Sequence, residues 1–236
     1  MGVEPSGPDF FLTLFVDPRN GCSAQGIQSS APTLFRVLDN HLKTMDMNAL
    51  EDITRRVLDF WFGADRSGAD QDREIWFKPT PEFDGQIRAL FAEDCERAAC
   101  GELDGLLETA HGCLTLVILT DQFPRNLYRG TAEAFSCDAK ALSVARHALG
   151  CGFDRDMKSA ERMFLYMPFE HSEDLADQNR AVALFEALGN ENWLDYAIRH
   201  RDIIARFGRF PHRNEILSRE STAEETEFLK EPGSSF

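Results

Sequence analysis

Residues 114–123 of the chain read LTLVILTDQF. This run is apolar on nearly every side of a helical projection, which is typical of a helix that other parts of the fold surround. Pro124 follows and should end or kink the helix, because proline has no amide hydrogen to donate to the preceding turn. We therefore predict a central buried helix here, against which the remaining elements pack.

Helical patterns continue on both sides of this run. An Asn-x-x-Glu capping box at Asn48 opens a helix that ends at Gly63, and a Thr-Pro-Glu start at Thr80 opens another that ends at Gly101. Further helices are predicted over residues 138–149, 162–167, 172–188 and 193–207 and from residue 221 onward. Ser172 is the predicted N-cap of the longest of these. Since no segment alternates polar and apolar residues strictly, the sequence predicts an all-α array.

The excess of acidic over basic residues disfavours some classes of binding partner. The chain has 236 residues, with 25 Lys and Arg against 40 Asp and Glu, so its formal net charge is −15. Nucleic acids and anionic lipid surfaces are bound largely through lysine and arginine, which neutralise phosphate groups. No apolar run approaches the roughly 20 residues that a membrane span requires. We therefore expect neither a nucleic acid nor a membrane as partner.

The first 45 residues differ in composition from the rest. They are rich in Gly, Pro, Ser and Asn and lack sustained periodicity, so they cannot bury enough apolar surface to fold alone. We expect residues 1–45 to be a disordered extension or an over-long gene start, and residues 46–236 to form one all-helical domain. The six cysteines form no Cys-x-x-Cys pair, and they suit the reduced thiols of a cytoplasmic protein.

Polar residues interrupt the helical patterns in three stretches. These are residues 121–131, residues 166–175, and His200 with residues 206–214, and each contains a proline beside phenylalanine and charged side chains. The candidate ligand-binding residues of the first and third stretches are Asp121, Gln122, Arg125, Asn126, Arg129, His200, Arg206, Arg209, His212, Arg213 and Asn214. The second stretch supplies the candidate acid/base residues Glu170, His171 and Asp174.

Together with VLDFWFG at 57–63, GELD at 101–104 and PGSSF at 232–236, these stretches resemble the bacterial family catalogued as domain of unknown function 924. The resemblance covers about residues 48–236 and departs from the family pattern at Leu106-Leu107 and Ala110-His111, outside the three stretches. It implies a helical fold similar to that of tetratricopeptide-repeat proteins, and hence an α-α superhelix. It implies no activity.

Several residues of the second and third stretches have side chains that can bind metal ions. They are Glu170, His171, Glu173, Asp174, His200 and His212. Their spacing matches neither His-Glu-x-x-His nor the paired Glu-x-x-His of di-iron bundles. Glu173 and Asp174 instead suit the first turn of a helix, where they complement its dipole. We therefore predict no metal and no cofactor.

Arginines near helix breaks are unusual in so acidic a chain. They are Arg125, Arg129, Arg206, Arg209 and Arg213. Guanidinium groups bind carboxylates and phosphates in a bidentate manner, so these residues could hold an anion. They could equally pair with acidic side chains in a network that fixes the kinks, since buried charges must be paired. The sequence leaves both interpretations open.

Two function classes follow. In the first, the helical array presents a groove to a peptide or partner protein, by analogy with tetratricopeptide-like folds. In the second, the three stretches form a pocket whose arginines hold a small anionic metabolite, and His171 transfers protons with Glu170 or Asp174. We favour the first slightly, because no motif names a reaction. A closed concave site would favour the second class, and an open groove with fully paired arginines would favour the first.

Overall fold

The computed structural model describes residues 33–64, 73–78 and 80–235, with side chains from residue 47 onward. Within these ranges every regular element is a helix, so the all-α prediction is confirmed. The chain divides into two compact units, Met1–His41 and Leu42–Phe236, and every residue whose side chain the structure describes lies in the second. The extension predicted over residues 1–45 lies largely outside the described residues.

The described α-helices are α1 (Thr33–Phe62), α2 (Glu74–Phe77), α3 (Pro81–Cys100), α4 (Ala110–Val117), α5 (Phe123–Leu127), α6 (Asp138–Cys151), α7 (Ser159–Glu170), α8 (Leu175–Leu188), α9 (Glu191–Phe207) and α10 (Ala223–Phe228). Short 3-10 helices lie at Asp104–Glu108, Ala132–Phe135 and Pro211–Arg213. The prediction that the first helix begins at Asn48 is wrong, since α1 begins at Thr33. Residues 34–47 contain neither glycine nor proline, so no residue in them breaks the helix upstream of Asn48.

Side-chain caps set the ends of the helices that carry the polar stretches. At α3 the Thr80 hydroxyl accepts the amide hydrogen of Phe83, as the sequence predicted. The N-cap of α8 is Asp174 and not Ser172, because the Asp174 carboxylate accepts the amide hydrogen of Ala176 at 2.7 Å. The Ser172 hydroxyl accepts the amide hydrogen of Asp174 instead, so it orders the turn before the helix.

The central apolar run is buried as predicted, but it is not one regular helix. Every residue from 112 to 121 is buried. Between α4 and α5 the chain widens into a π-helical segment, Ile118–Gln122, and it continues helically through Pro124. A π-helical turn makes room for the proline ring and turns the side chains that follow, and such turns are frequent at functional sites. This segment carries Asp121, the first residue of the first polar stretch.

Aromatic rings from distant parts of the chain form the core around this segment. The ring of Trp61 lies 5.5 Å from that of Phe123 and 5.3 Å from that of Phe164, measured between centroids. Because these three rings are almost fully buried, the ends of α1, α5 and α7 are held in a fixed arrangement. That arrangement positions the first and second polar stretches.

Candidate functional site

The three polar stretches meet at one cleft with a volume of about 830 Å³. The predicted residues that line it are Gln122, Arg125, Asn126 and Arg129 from the first stretch, Glu170 and His171 from the second, and His200, His212 and Arg213 from the third. Aromatic side chains complete its walls, among them Phe135, Phe164 and Trp193. The cleft therefore combines a polar side with an apolar one.

A buried aspartate holds the imidazole of His171. Oδ1 of Asp121 lies 2.8 Å from Nδ1 of His171, and Asp121 is fully buried in the π-helical segment. Because an ionised carboxylate can only accept, Nδ1 is the donor, and Nε2 of the neutral ring is left to act as an acceptor. Burial and the charge of Arg125 lower the pKa of His171, despite the opposing effect of Asp121. His171 is therefore neutral at pH 7 and lies at the wall of the cleft.

Arg125 holds Asp121 in place and uses its donors within the protein. Its Nη1 donates to the Asp121 backbone oxygen at 2.6 Å, and Nη1 and Nη2 donate to the two carboxylate oxygens of Asp138 at 3.0 and 3.2 Å. Burial opposes ionisation of Asp121, but the charge of Arg125 and the hydrogen bond from His171 outweigh it and hold its pKa well below the usual range. Arg125 therefore keeps the carboxylate charged beside the imidazole.

Arg213 lies beside this pair and is itself buried. Its guanidinium lies between the rings of Phe135 and Phe210, with Cζ at 4.7 and 4.4 Å from the two centroids. Its Nη1 donates to the backbone oxygen of His171 at 3.1 Å and is 3.5 Å from Oδ2 of Asp138. Burial, followed by the charge of Arg125, lowers its pKa to about 10.

A second histidine in the cleft also contacts a buried carboxylate. Nδ1 of His200 lies 3.0 Å from Oε1 of Glu170 and 2.8 Å from the backbone oxygen of Tyr196. The rings of His171 and His200 are 6.4 Å apart. Two imidazoles that are each held at Nδ1 by an acidic side chain thus share one wall, at a separation that one small molecule can span.

The comparisons with known proteins agree with the fold and indicate no activity. A family model described as bacterial protein of unknown function, DUF924, matches residues 57–233. The chain belongs to the DUF924 family. No curated protein matches it significantly. A solved structure of a protein of unknown function from Agrobacterium tumefaciens is similar, with 41% identity and a TM-score of 0.71, over 76% of this chain and 98% of that one.

Not every predicted residue of this DUF924 protein takes part in the cleft. Those that do not line it are Asp174, Arg206, Arg209 and Asn214, together with the buried Asp121 behind His171. Asp174 caps α8, and the side chain of Asn214 donates to Ser221. Arg206 pairs with Glu224 and Arg209 with Glu225, at 2.9 and 2.7 Å. These residues hold elements together at a distance from the cleft.

Two acidic residues that organise the site of this DUF924 protein are not indicated by any sequence pattern. Asp138 at the start of α6 binds Arg125, and Asp84 on α3 accepts from the Asn126 amide at 2.8 Å and pairs with Arg129 at 3.2 Å. Each looks in sequence like an ordinary first-turn acid. Their partners lie 13 to 45 residues away, so no local pattern could have identified them.

Within the described ranges no three or more His, Cys, Asp or Glu residues are grouped so that they could hold a metal ion. The described helices also include none that is both long and apolar enough to cross a membrane.

Proposed function

We propose that the cleft binds a small organic molecule and that His171 exchanges a proton with it as a general base. Asp121 is the positioning residue that orients the imidazole. The observation that carries this proposal is the 2.8 Å contact between the fully buried Asp121 carboxylate and Nδ1 of a cleft-lining histidine. The same carboxylate–imidazole arrangement serves acid/base catalysis on unrelated folds.

The protonation state of His171 suits this role. A general base must be neutral at working pH, and burial together with Arg125 lowers the pKa of His171. When Nε2 takes up a proton, the Asp121 carboxylate stabilises the imidazolium that forms. Glu170 and His200 supply a second acid/base pair on the same wall, which would allow a proton to be taken from one atom and given to another.

The size of the cleft favours a small molecule. A volume of about 830 Å³ lies within the ~300–1,000 Å³ that is usual for small-molecule sites. Aromatic walls with a few polar groups in defined places are also typical of such sites. The three polar stretches also converge at one concave site, as the second function class requires.

An interaction role is the second proposal. Phe77 and Tyr196 line the cleft and are 51% and 44% exposed, so large apolar surfaces lie at its edge. A peptide or partner protein could cover them, and the proposed likeness to a tetratricopeptide-type superhelix would suit such a partner. We propose the cytoplasm as the setting of either function, because the described cysteines are free thiols.

Metabolite profiling tests the enzyme proposal. Wild-type protein and His171→Asn would be incubated with a cell metabolite extract, and the compounds that disappear would be identified by mass spectrometry. Asparagine keeps a donor near the position of Nδ1 but cannot take up a proton. We expect at least one metabolite to be consumed by wild type and left intact by His171→Asn.

His147→Asn is the matched control, because His147 is exposed and lies outside the lining of the cleft. It should consume the same metabolite as wild type. A metabolite consumed equally by His171→Asn would remove His171 from the chemistry. If the wild type instead retained a peptide or a partner protein and converted no metabolite, the interaction proposal would take precedence.

A further inference from the structure

The arginines of the three stretches differ in how many of their donors the protein already uses. Arg125 donates from both Nη1 and Nη2 to Asp121 and Asp138. Arg129 is more than half exposed and pairs with Asp84. The pairs that involve Arg206 and Arg209 lie outside the cleft lining. Among the arginines of the three stretches, Arg213 is the cleft residue left to consider.

Arg213 is buried but not saturated. Only 6% of its surface is exposed, and within the described part of the chain its hydrogen bonds are donated from Nη1. Its Nε is buried and has no acceptor. A buried guanidinium with unused donors is costly, since each unsatisfied donor of a charged group loses its hydration without compensation. Nη2 also has no acceptor among the described residues, and an acceptor supplied there by a ligand would offset part of that cost.

The counter-charge of Arg213 is also incomplete. Asp138 gives both of its oxygens to Arg125 at 3.0 and 3.2 Å, and its closest approach to Arg213 is 3.5 Å. Asp121 is likewise engaged by Arg125 and His171. Glu173 also lies near enough to favour the charged guanidinium, but it pairs with Arg219. Each carboxylate near Arg213 is therefore shared with another cation, whereas the carboxylate of a ligand would bind Arg213 directly.

Two rings fix the orientation of this guanidinium. Phe135 and Phe210 pack on it, with Cζ at 4.7 and 4.4 Å from the two ring centroids. Nη1 is held by the backbone of His171 and Nε is buried, so a ligand in the cleft can reach this guanidinium at Nη2. A guanidinium N–H donates a charge-assisted hydrogen bond to a carboxylate oxygen.

We infer that the substrate is a monocarboxylate with an apolar body, and that its carboxylate accepts a hydrogen bond from Nη2 of Arg213. This inference rests on the proposed function and names the substrate class for the same cleft. The apolar body would lie against the aromatic wall that includes Phe164 and Trp193. A phosphate dianion suits the site less well, because the carboxylates of Asp138 and Glu170 would repel its second charge.

The arrangement also places Arg213, which would anchor the carboxylate, next to His171, the proposed base. Arg213 donates to the backbone oxygen of His171 itself, so a carboxylate on Arg213 would lie close to the imidazole. A proton on a carbon or heteroatom near the carboxyl group would then be within reach of Nε2. The substrate would be held at one end and deprotonated a short distance away.

Calorimetric binding of matched probes to the full chain tests the inference. Phenylacetate and hexanoate are the carboxylates, phenylacetamide is the neutral isostere, and phenyl phosphate is the dianion. We expect at least one carboxylate to bind at least tenfold more tightly than both phenylacetamide and phenyl phosphate. Equal binding of the amide, tighter binding of phenyl phosphate, or no binding of either carboxylate would overturn the inference.

Variants of Arg213 test whether this residue binds the carboxylate. Arg213→Lys keeps the charge but not the fork, and it should weaken carboxylate binding at least tenfold while the thermal unfolding temperature shows that the protein remains folded. Arg201→Met is the control, because Arg201 pairs with Asp202 on α9 outside the cleft lining, and it should bind as wild type does. Unchanged binding by Arg213→Lys would overturn the assignment. The wild-type probe series decides the substrate class even if that variant fails to fold.

The two proposals fail in different ways. His171→Asn should bind the carboxylate as tightly as wild type does, since the base is not the anchor. Selective carboxylate binding together with full activity of His171→Asn would remove the proposed base and keep the substrate class. Consumption of a metabolite without a carboxyl group, abolished in His171→Asn, would keep the base and overturn the substrate class.

Discussion

Nδ1 of His171 lies 2.8 Å from Oδ1 of Asp121, although the two residues are 50 positions apart in the chain. The contact joins the C-terminal end of α7 to the π-helical segment in the centre of the fold. It therefore couples the packing of the core to the protonation state of a residue at the wall of the cleft. The predictions below follow from this contact and from the packing around it.

We predict that His171 titrates below the usual histidine range and carries its neutral-state proton on Nδ1. Burial and Arg125 disfavour the imidazolium, and the Asp121 carboxylate accepts from Nδ1. Nitrogen chemical shifts of the ring, followed by NMR from pH 8 to pH 4, report both properties. A midpoint at or above about 6.5, or a neutral ring protonated on Nε2, would contradict the assignment.

The side chains of Asp121 and Arg125 should contribute to the stability of the fold jointly and not independently. Removing one partner of a buried ion pair leaves an uncompensated charge, so Asp121→Asn and Arg125→Met should each lower the free energy of unfolding by about 3 kcal/mol. The double variant should lose less unfolding free energy than the two single variants lose together, by at least about 1 kcal/mol. Urea denaturation of the four proteins measures this coupling.

The pair Arg206 and Glu224 is the control for this cycle. Both side chains are about half exposed, so their coupling should stay below about 1 kcal/mol. Strict additivity at Asp121 and Arg125 would show that the two side chains act independently. The role of Arg125 in holding the carboxylate would then have to be abandoned.

Stability should fall as the pH is lowered from about 6.5 towards 4. Burial and the charge of Arg213 lower the pKa of His212 to about 4, and the pKa of His171 is also lowered. In the unfolded chain both histidines titrate near 6.5, so within this window the unfolded state binds more protons and is favoured by acid. Each group contributes a slope of at most about 1.4 kcal/mol per pH unit.

Urea denaturation at pH 7.5, 6.5, 5.5 and 5.0 measures this dependence. His212→Gln removes one of the two groups, and its stability should therefore depend less steeply on pH than that of the wild type. A wild-type stability that stays constant or rises between pH 6.5 and 5.0 would contradict the prediction.

Two glycines offer a matched test of packing at helices. A Cβ at Gly112, near the start of α4, would lie 2.1 Å from the backbone oxygen of Leu106, which cannot move without the 3-10 helix that carries it. Gly112→Ala should therefore destabilise the protein by about 1–3 kcal/mol. At Gly85 in α3 a Cβ meets no atom within 4 Å, so Gly85→Ala should stabilise it by about 0.5–1 kcal/mol.

Thermal and urea unfolding of both variants check these signs. If Gly112→Ala were as stable as the wild type, the approach of α4 to the preceding 3-10 helix would be looser than the structure shows. A loss of stability in Gly85→Ala would contradict the open space that the structure shows around that position.

Local patterns were sufficient for much of the fold. The Thr80 cap, the αL glycines at the ends of α3 and α9, and the burial of residues 112–121 follow from short-range propensities and from hydrophobicity. The same rules placed the cap of α8 at Ser172 instead of Asp174, since both residues are good caps and only the surrounding contacts choose between them.

The sequence by itself determined the all-α class and singled out candidate residues for the site. His171, Arg125 and Arg213 stood out because charged side chains beside Phe-Pro breaks are unusual in a chain of net charge −15. It did not determine which of these charges remain available to a ligand. That depends on pairing with Asp121, Asp138 and other acids far away in the chain, which the sequence cannot rank.

Only the tertiary structure decided the pairing. The π-helical segment turns Asp121 towards α7, and the packing of α6 brings Asp138 onto Arg125. Coulomb energies and hydrogen bonds depend on distances of a few ångströms, and those distances are set by how the helices pack and not by the order of residues. The packing therefore made Arg125 a structural cation and left part of Arg213 open to the cleft.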